Sequence, residues 1–167
     1  PGHRTAFFHK GDYTNTFARK METPKARAQY MWYNDEMPYT LENSIRADIA
    51  GQVLDMIYLK KIREEASAAY SVSAIGRAQL REDKTHSMML YAVCPMKPEK
   101  RQEAVSILEQ EVKDLANTCD ASMVTKIKEL MLKQADDAVK SNGYWYSVIE
   151  MYDKYGIDSH SDYKKLI

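Results

Sequence analysis

Between residues 25 and 33, Ala26, Ala28, Tyr30 and Trp32 alternate with Lys25, Arg27 and Gln29. Apolar and polar positions at period two, with aromatics among them, predict a strand with one solvated face. The period then changes. Leu41, Ile45, Ile49, Val53 and Met56 recur about every four residues, widened by Leu54 and Ile57. This stripe predicts a helix from about Leu41 to Lys60. Thr40 is placed to cap it, and Glu42 lies in the first turn, where the helix dipole favours negative charge. Gly51 interrupts the stripe at a cost of about 1 kcal/mol relative to alanine, so it is expected where a neighbour packs closely. A further helical turn or two follows through Arg63–Ala66.

Tyr70–Ile75 predicts a second strand, with Tyr70, Val72 and Ala74 on one face. Gly76–Lys84 is charged and predicts a loop. Ser87–Cys94 is apolar on both faces, the pattern of a central strand. Pro95 and Pro98 are expected to break that strand, and Pro98 suits the first turn of a helix over Glu99–Ala116. Asp120 is placed to cap the next helix. Its stripe of Val124, Ile127, Met131 and Ala135 runs on to about Ser141, with Asn142-Gly143 as its expected end. Tyr144-Trp145-Tyr146 opens another helical pattern through Val148 and Tyr152, closed by Gly156. Asp158-Ser159-His160-Ser161 leads into a last helix.

Residues 1–22 predict a connector from a preceding domain, with a short strand at Thr5–His9, and residues 23–167 predict the domain itself. Strands joined by short loops favour antiparallel pairing. The expected fold class is therefore α+β, an antiparallel sheet with one helix layer. The chain opens at Pro1 and ends on a fresh helical turn at Lys164-Lys165-Leu166-Ile167, and is expected to be part of a longer protein.

Lys+Arg and Asp+Glu both number 24 among the 167 residues, a formal net charge of zero. A balanced chain lacks the basic surplus that broad nucleic-acid binding needs to neutralise phosphates. No run of about eighteen apolar residues predicts a membrane span. Cys94 and Cys119 make neither a disulfide framework nor a metal cluster, and are expected to be buried or half-buried thiols.

The candidate chemistry is narrow. His3, His9, His86 and His160 have no partner three or four residues away on a predicted helix, whereas a catalytic zinc needs about three protein ligands. No zinc is expected on this chain alone. There is no nucleophile elbow and no glycine-rich phosphate loop. Glu64-Glu65 and Asp136-Asp137 fit solvated helix faces.

Arg63 and Tyr70 stand out because they bracket the switch from helix to strand, seven residues apart. A structural reading pairs Arg63 with a carboxylate on the helix face and makes Tyr70 a core-edge aromatic. A functional reading uses the guanidinium as a fixed fork of donors toward carbonyl or carboxylate oxygens. It uses the tyrosine hydroxyl as a donor to an oxygen that becomes negative during acyl transfer.

The stretch Leu59-Lys60-Lys61-Ile62-Arg63-Glu64-Glu65-Ala66-Ser67-Ala68-Ala69-Tyr70-Ser71-Val72 resembles one in the C-terminal-type, non-zinc domains of the pitrilysin/insulinase-like zinc metallopeptidases, the M16 family. Thr23-Pro24-Lys25-Ala26, Pro38-Tyr39-Thr40-Leu41-Glu42-Asn43 and Cys94-Pro95-Met96-Lys97-Pro98-Glu99-Lys100 are similar to the same type of domain. The resemblance covers about residues 20–166. It implies a truncated LuxS/MPP-like metallohydrolase-type domain that closes over a substrate chamber. It also implies zinc in a separate N-terminal half of the same protein, a peptide substrate, and Arg63 and Tyr70 as contacts to the peptide backbone. The resemblance is bacterial in style and implies a periplasmic or cytoplasmic setting. Family members often carry glycine shortly before the tyrosine, where this chain has Ser67-Ala68-Ala69. They also usually have a closing strand that this chain lacks, so an unpaired sheet edge is expected. The alternative is an inactive peptidase homologue serving as a structural or peptide-binding subunit. A His-x-x-Glu-His motif upstream in the parent gene would separate the two.

Overall fold

The computed structural model describes residues 11–20 and 22–167. The short strand expected at Thr5–His9 lies outside the described residues. From residue 26 the order is β1 (Ala26–Asn34), α1 (Leu41–Tyr58), a π-helical turn (Leu59–Glu65), β2 (Ser73–Leu80) and β3 (His86–Met96). A 3₁₀ turn (Pro98–Lys100) follows, then α2 (Arg101–Lys113), α3 (Leu115–Thr118), α4 (Ala121–Ala138), α5 (Asn142–Tyr155) and α6 (Tyr163–Leu166).

The three strands form one antiparallel sheet in the order β1-β3-β2. The strand that is apolar on both sides, β3, lies in the middle. The register sets Tyr30 opposite Ala92 and Ala74 opposite Ala92 from the other side. Ala28, Tyr30 and Trp32 of β1, Ala92 and Cys94 of β3 and Ala74 of β2 therefore share the face that packs on Leu54 and Tyr58 of α1 and Leu108 of α2. The Tyr58 hydroxyl donates to the Leu108 carbonyl oxygen at 2.6 Å and ties the two helices together. A second cluster joins Ile45, Val53 and Ile57 of α1 to Ile127 and Met131 of α4. One helix thus serves both clusters.

Gly51 sits where α1 crosses β2. A β-carbon added there would lie 1.9 Å from the backbone nitrogen of Gly76, and one added at Gly76 would lie 1.7 Å from the carbonyl oxygen of Ala47. The two glycines let backbone meet backbone. Beside them Asp55 accepts the Ala74 N–H at 2.8 Å, satisfying a donor on the free side of β2. The expected N-caps are present: Thr40 accepts from the Asn43 N–H and Asp120 from the Met123 N–H. Gly156 ends α5 with φ +68°, in the left-handed conformation that glycine adopts without strain.

Four expectations are corrected. The second strand begins at Ser73, not Tyr70, and Tyr70 is exposed where Val72 and Ala74 are buried, because residues 66–72 are a turn pinned to the end of β3. Gly76–Leu80 is strand, not loop, because α1 covers Gly76 while Arg77 and Gln79 point to the solvated face of the sheet. Pro95 does not break β3, which runs to Met96. Ala74 gives its N–H to Asp55 rather than to β3, and alternation along β3 then turns the amide position of residue 95 toward the β2 side. There the ladder has already ended, since its last pair is Ser73 with Val93, so the missing N–H removes no ladder bond. Asn142 and Gly143 open α5 instead of ending α4. Ser141 stands between the two helices in an extended conformation, φ −102° and ψ 132°.

Candidate functional site

The site is built at the end of α1. After Tyr58 the helix widens to a π-helical turn, a form that often marks functional positions. Its residues divide by direction. Ile62 is fully buried in the core beneath the sheet. Lys61 reaches back to α2, where its ammonium donates to Glu111 at 2.5 Å. Glu111 is only 6% exposed, and its second carboxylate oxygen has no partner within the described residues. Arg63, next along, faces solvent.

The chain then turns sharply. The Ala66 N–H donates to the Lys61 carbonyl and the Ala68 N–H to the Ile62 carbonyl, bonds one residue wider than an α-helical ending would give. The bend falls on Ser67, whose φ is +50°. The glycine-like position is therefore Ser67, and Ala68 and Ala69 keep negative φ. A left-handed non-glycine residue costs roughly 1–2 kcal/mol, which the bonds on either side must hold in place. Ala68 and Ala69 are buried, Ala69 pairs with Met96, and the Lys97 N–H donates to the Ala68 carbonyl. This short stretch is pinned to the end of the central strand.

Tyr70 follows at once and is 83% exposed. It is not a core-edge aromatic. Among the described residues Arg63 has no ion pair, so the structural reading of both residues lacks its contacts. Arg63 and Tyr70 line one open depression together with Ser67, Ala69 and Lys97. The Lys97 ammonium stands 5.6 Å from the centre of the Tyr70 ring, within cation–π range. The sequence pattern by itself assigns Lys97 no role. The clue was available, since an antiparallel partner for the strand after Tyr70 must bring its own end, Met96-Lys97, beside that residue.

The remaining candidates are dispersed. His160 is bonded through Nδ1 to the Tyr144 hydroxyl at 2.6 Å and serves to join α5 to the C-terminal segment. Cys94 is fully buried in β3 and its thiol is pushed up to about 11 by burial. Cys119 is half-buried, and the two thiols are unpaired. Among the described residues no group of three His, Cys, Asp or Glu side chains is placed to hold a metal ion, so these residues do not fit a zinc centre. No helix among them is long and apolar enough to cross a membrane.

The described residues thus form one antiparallel sheet under a helix layer, with a depression lined by Arg63, Tyr70 and Lys97 and no metal cluster. The chain belongs to the family described as Peptidase M16 inactive domain, whose profile matches residues 8–131. No curated protein matches it.

Several solved structures share its fold. The periplasmic protease PqqL from Escherichia coli superposes with a TM-score of 0.65 at 23% identity, over 87% of this chain and 16% of that one. The ferredoxin protease FusC, solved in complex with Arabidopsis ferredoxin, gives a TM-score of 0.69 at 16% identity, over 86% of this chain and 16% of that one. A conserved protein from Enterococcus faecalis gives 0.64 at 12% identity, over 85% and 33%. The chain thus spans about a sixth of the length of the two proteases.

Proposed function

We propose that this domain belongs to the non-catalytic half of a zinc metalloendopeptidase, closing over the substrate chamber while zinc is held by a separate N-terminal domain. Arg63 and Tyr70 hold the peptide backbone. The observation that carries the reading is their placement: both side chains are exposed, they share one depression, and a buried, hydrogen-bonded turn fixes the backbone between them. Membership of an M16 family and the shared fold of two proteases support it.

Each residue has a separate task. Arg63 presents donors to a substrate carbonyl in both ground and transition states. The Tyr70 hydroxyl donates to the oxygen that becomes negative as the peptide carbon turns tetrahedral. Cleavage kinetics of the longer protein test the division. Tyr70→Phe is expected to lower kcat roughly 10- to 1,000-fold with less change in KM. Arg63→Ala is expected to raise KM as well, because it removes binding made in both states. Zinc content stays at the wild-type value in both variants. Wild-type kcat and KM in both would reduce the resemblance to one of fold.

A further inference from the structure

Charge is distributed unevenly around the Arg63–Tyr70 depression. The chain as a whole is neutral, and the basic residues flanking the site are mostly paired. Lys60 lies 4.0 Å from Glu65, Lys61 2.5 Å from Glu111 and Lys100 2.6 Å from Glu103. Arg63 and Lys97 are different. Both line the depression, no carboxylate lines it with them, and neither has an ion-pair partner among the described residues. A grip on neutral backbone carbonyls requires one donor fork and not a second cation. Lys97 is also held in place: its N–H is bonded to Ala68, Pro98 follows it, and its ammonium rests over the Tyr70 ring.

We propose that Lys97 and Arg63 together make this depression select a carboxylate on the bound peptide. Lys97 is then a specificity-determining residue beside the backbone contacts. The proposal rests on the peptide-holding reading given above and adds the substrate class to it. The carboxylate can come from an acidic side chain or from the peptide's own C-terminus, since both offer the same anionic oxygens to the two cations. Exposed ion pairs contribute modestly, so the two contacts correspond to a preference of about 3- to 10-fold in Kd. Solvent-exposed charges are screened, so the preference shrinks at high salt.

The test titrates the 167-residue chain with three short peptides of one sequence and follows the Tyr70 ring and Ala69 amide signals by NMR. The first has a glutamate and a C-terminal amide, the second glutamine and an amide, and the third glutamine and a free C-terminal acid. Tighter binding of the first or the third identifies the source of the carboxylate. In Lys97→Gln the ratio of Kd for the neutral peptide to Kd for the carboxylate peptide is expected to fall, with Arg63 left as the single cation of the depression; an unchanged ratio would overturn the role given to Lys97. Equal Kd for all three peptides, with binding still weakened by Arg63→Ala, would overturn the carboxylate proposal and leave the backbone reading standing. If no peptide moves the Tyr70 and Ala69 signals, both fall together.

Discussion

The two sides of the turn at Leu59–Glu65 are built from neighbouring residues and put to opposite uses. On the inner side, Ile62 is buried in the core and Lys61 is committed to Glu111. On the outer side, one residue further along, Arg63 has no carboxylate partner among the described residues, and Tyr70 stands 83% exposed over a buried pair of alanines. The inner contacts fix the backbone. The outer side chains are left free to meet something else. A residue's contribution to folding and its contribution to binding can thus be separated within three positions of sequence.

Breaking the inner side is expected to have the largest effect. Lys61→Met removes the only hydrogen-bond partner, among the described residues, of a carboxylate that is 6% exposed. Leaving a buried charge unpaired costs about 3 kcal/mol or more, which urea unfolding would read directly. The double change Lys61→Met with Glu111→Leu should recover most of that loss, because the charge goes with its partner. If Lys61→Met alone were neutral, the inner contact would not be an anchor.

A pH titration probes the inner side more gently. Burial raises the Cys94 thiol from 9.0 to about 11. The fold therefore holds the proton more tightly than the unfolded chain does. This contribution is fully present below pH 9 and is lost as the pH rises from about 9 to about 11. Unfolding free energy measured over that range should fall with pH, and Cys94→Ala should flatten the slope. Cys119, half-buried, is the thiol expected to react with a disulfide reagent in the folded state.

The smallest effect is expected at the bend. Ser67 adopts φ +50°, and Ser67→Gly relieves a left-handed serine while freeing the unfolded chain, two terms that oppose each other. A gain of a few tenths of a kcal/mol to about 1 kcal/mol is expected in thermal or urea unfolding. A loss would mean that the serine side chain holds the turn.

Much of the fold was legible because its signals are local. The stripe from Leu41 to Ile57, the caps at Thr40 and Asp120, and the stop at Gly156 require only neighbouring residues. The failures at Gly76–Leu80 and Pro95 share a cause in long-range contact. Gly76–Leu80 reads as a charged loop until α1 is seen to cover Gly76. Pro95 reads as a strand breaker until the β2 ladder is seen to end at Ser73. Within the site, Arg63 and Tyr70 are visible by type and spacing. Lys97 lies 27 positions beyond Tyr70 and joins them through the pairing of Ala69 with Met96 and the bond from its own N–H to Ala68.

The central claim is that the outer side is functional and carries little of the fold. It is tested most directly by measuring one variant twice, Tyr70→Phe by unfolding of the 167-residue chain and by peptide cleavage in the longer protein. The hydroxyl belongs to a side chain that is 83% exposed, so the unfolding free energy should change by less than about 0.5 kcal/mol. In cleavage, kcat should fall by at least about tenfold. A destabilised chain with unchanged kcat would contradict the account, placing Tyr70 in the fold and leaving the depression without its proposed use.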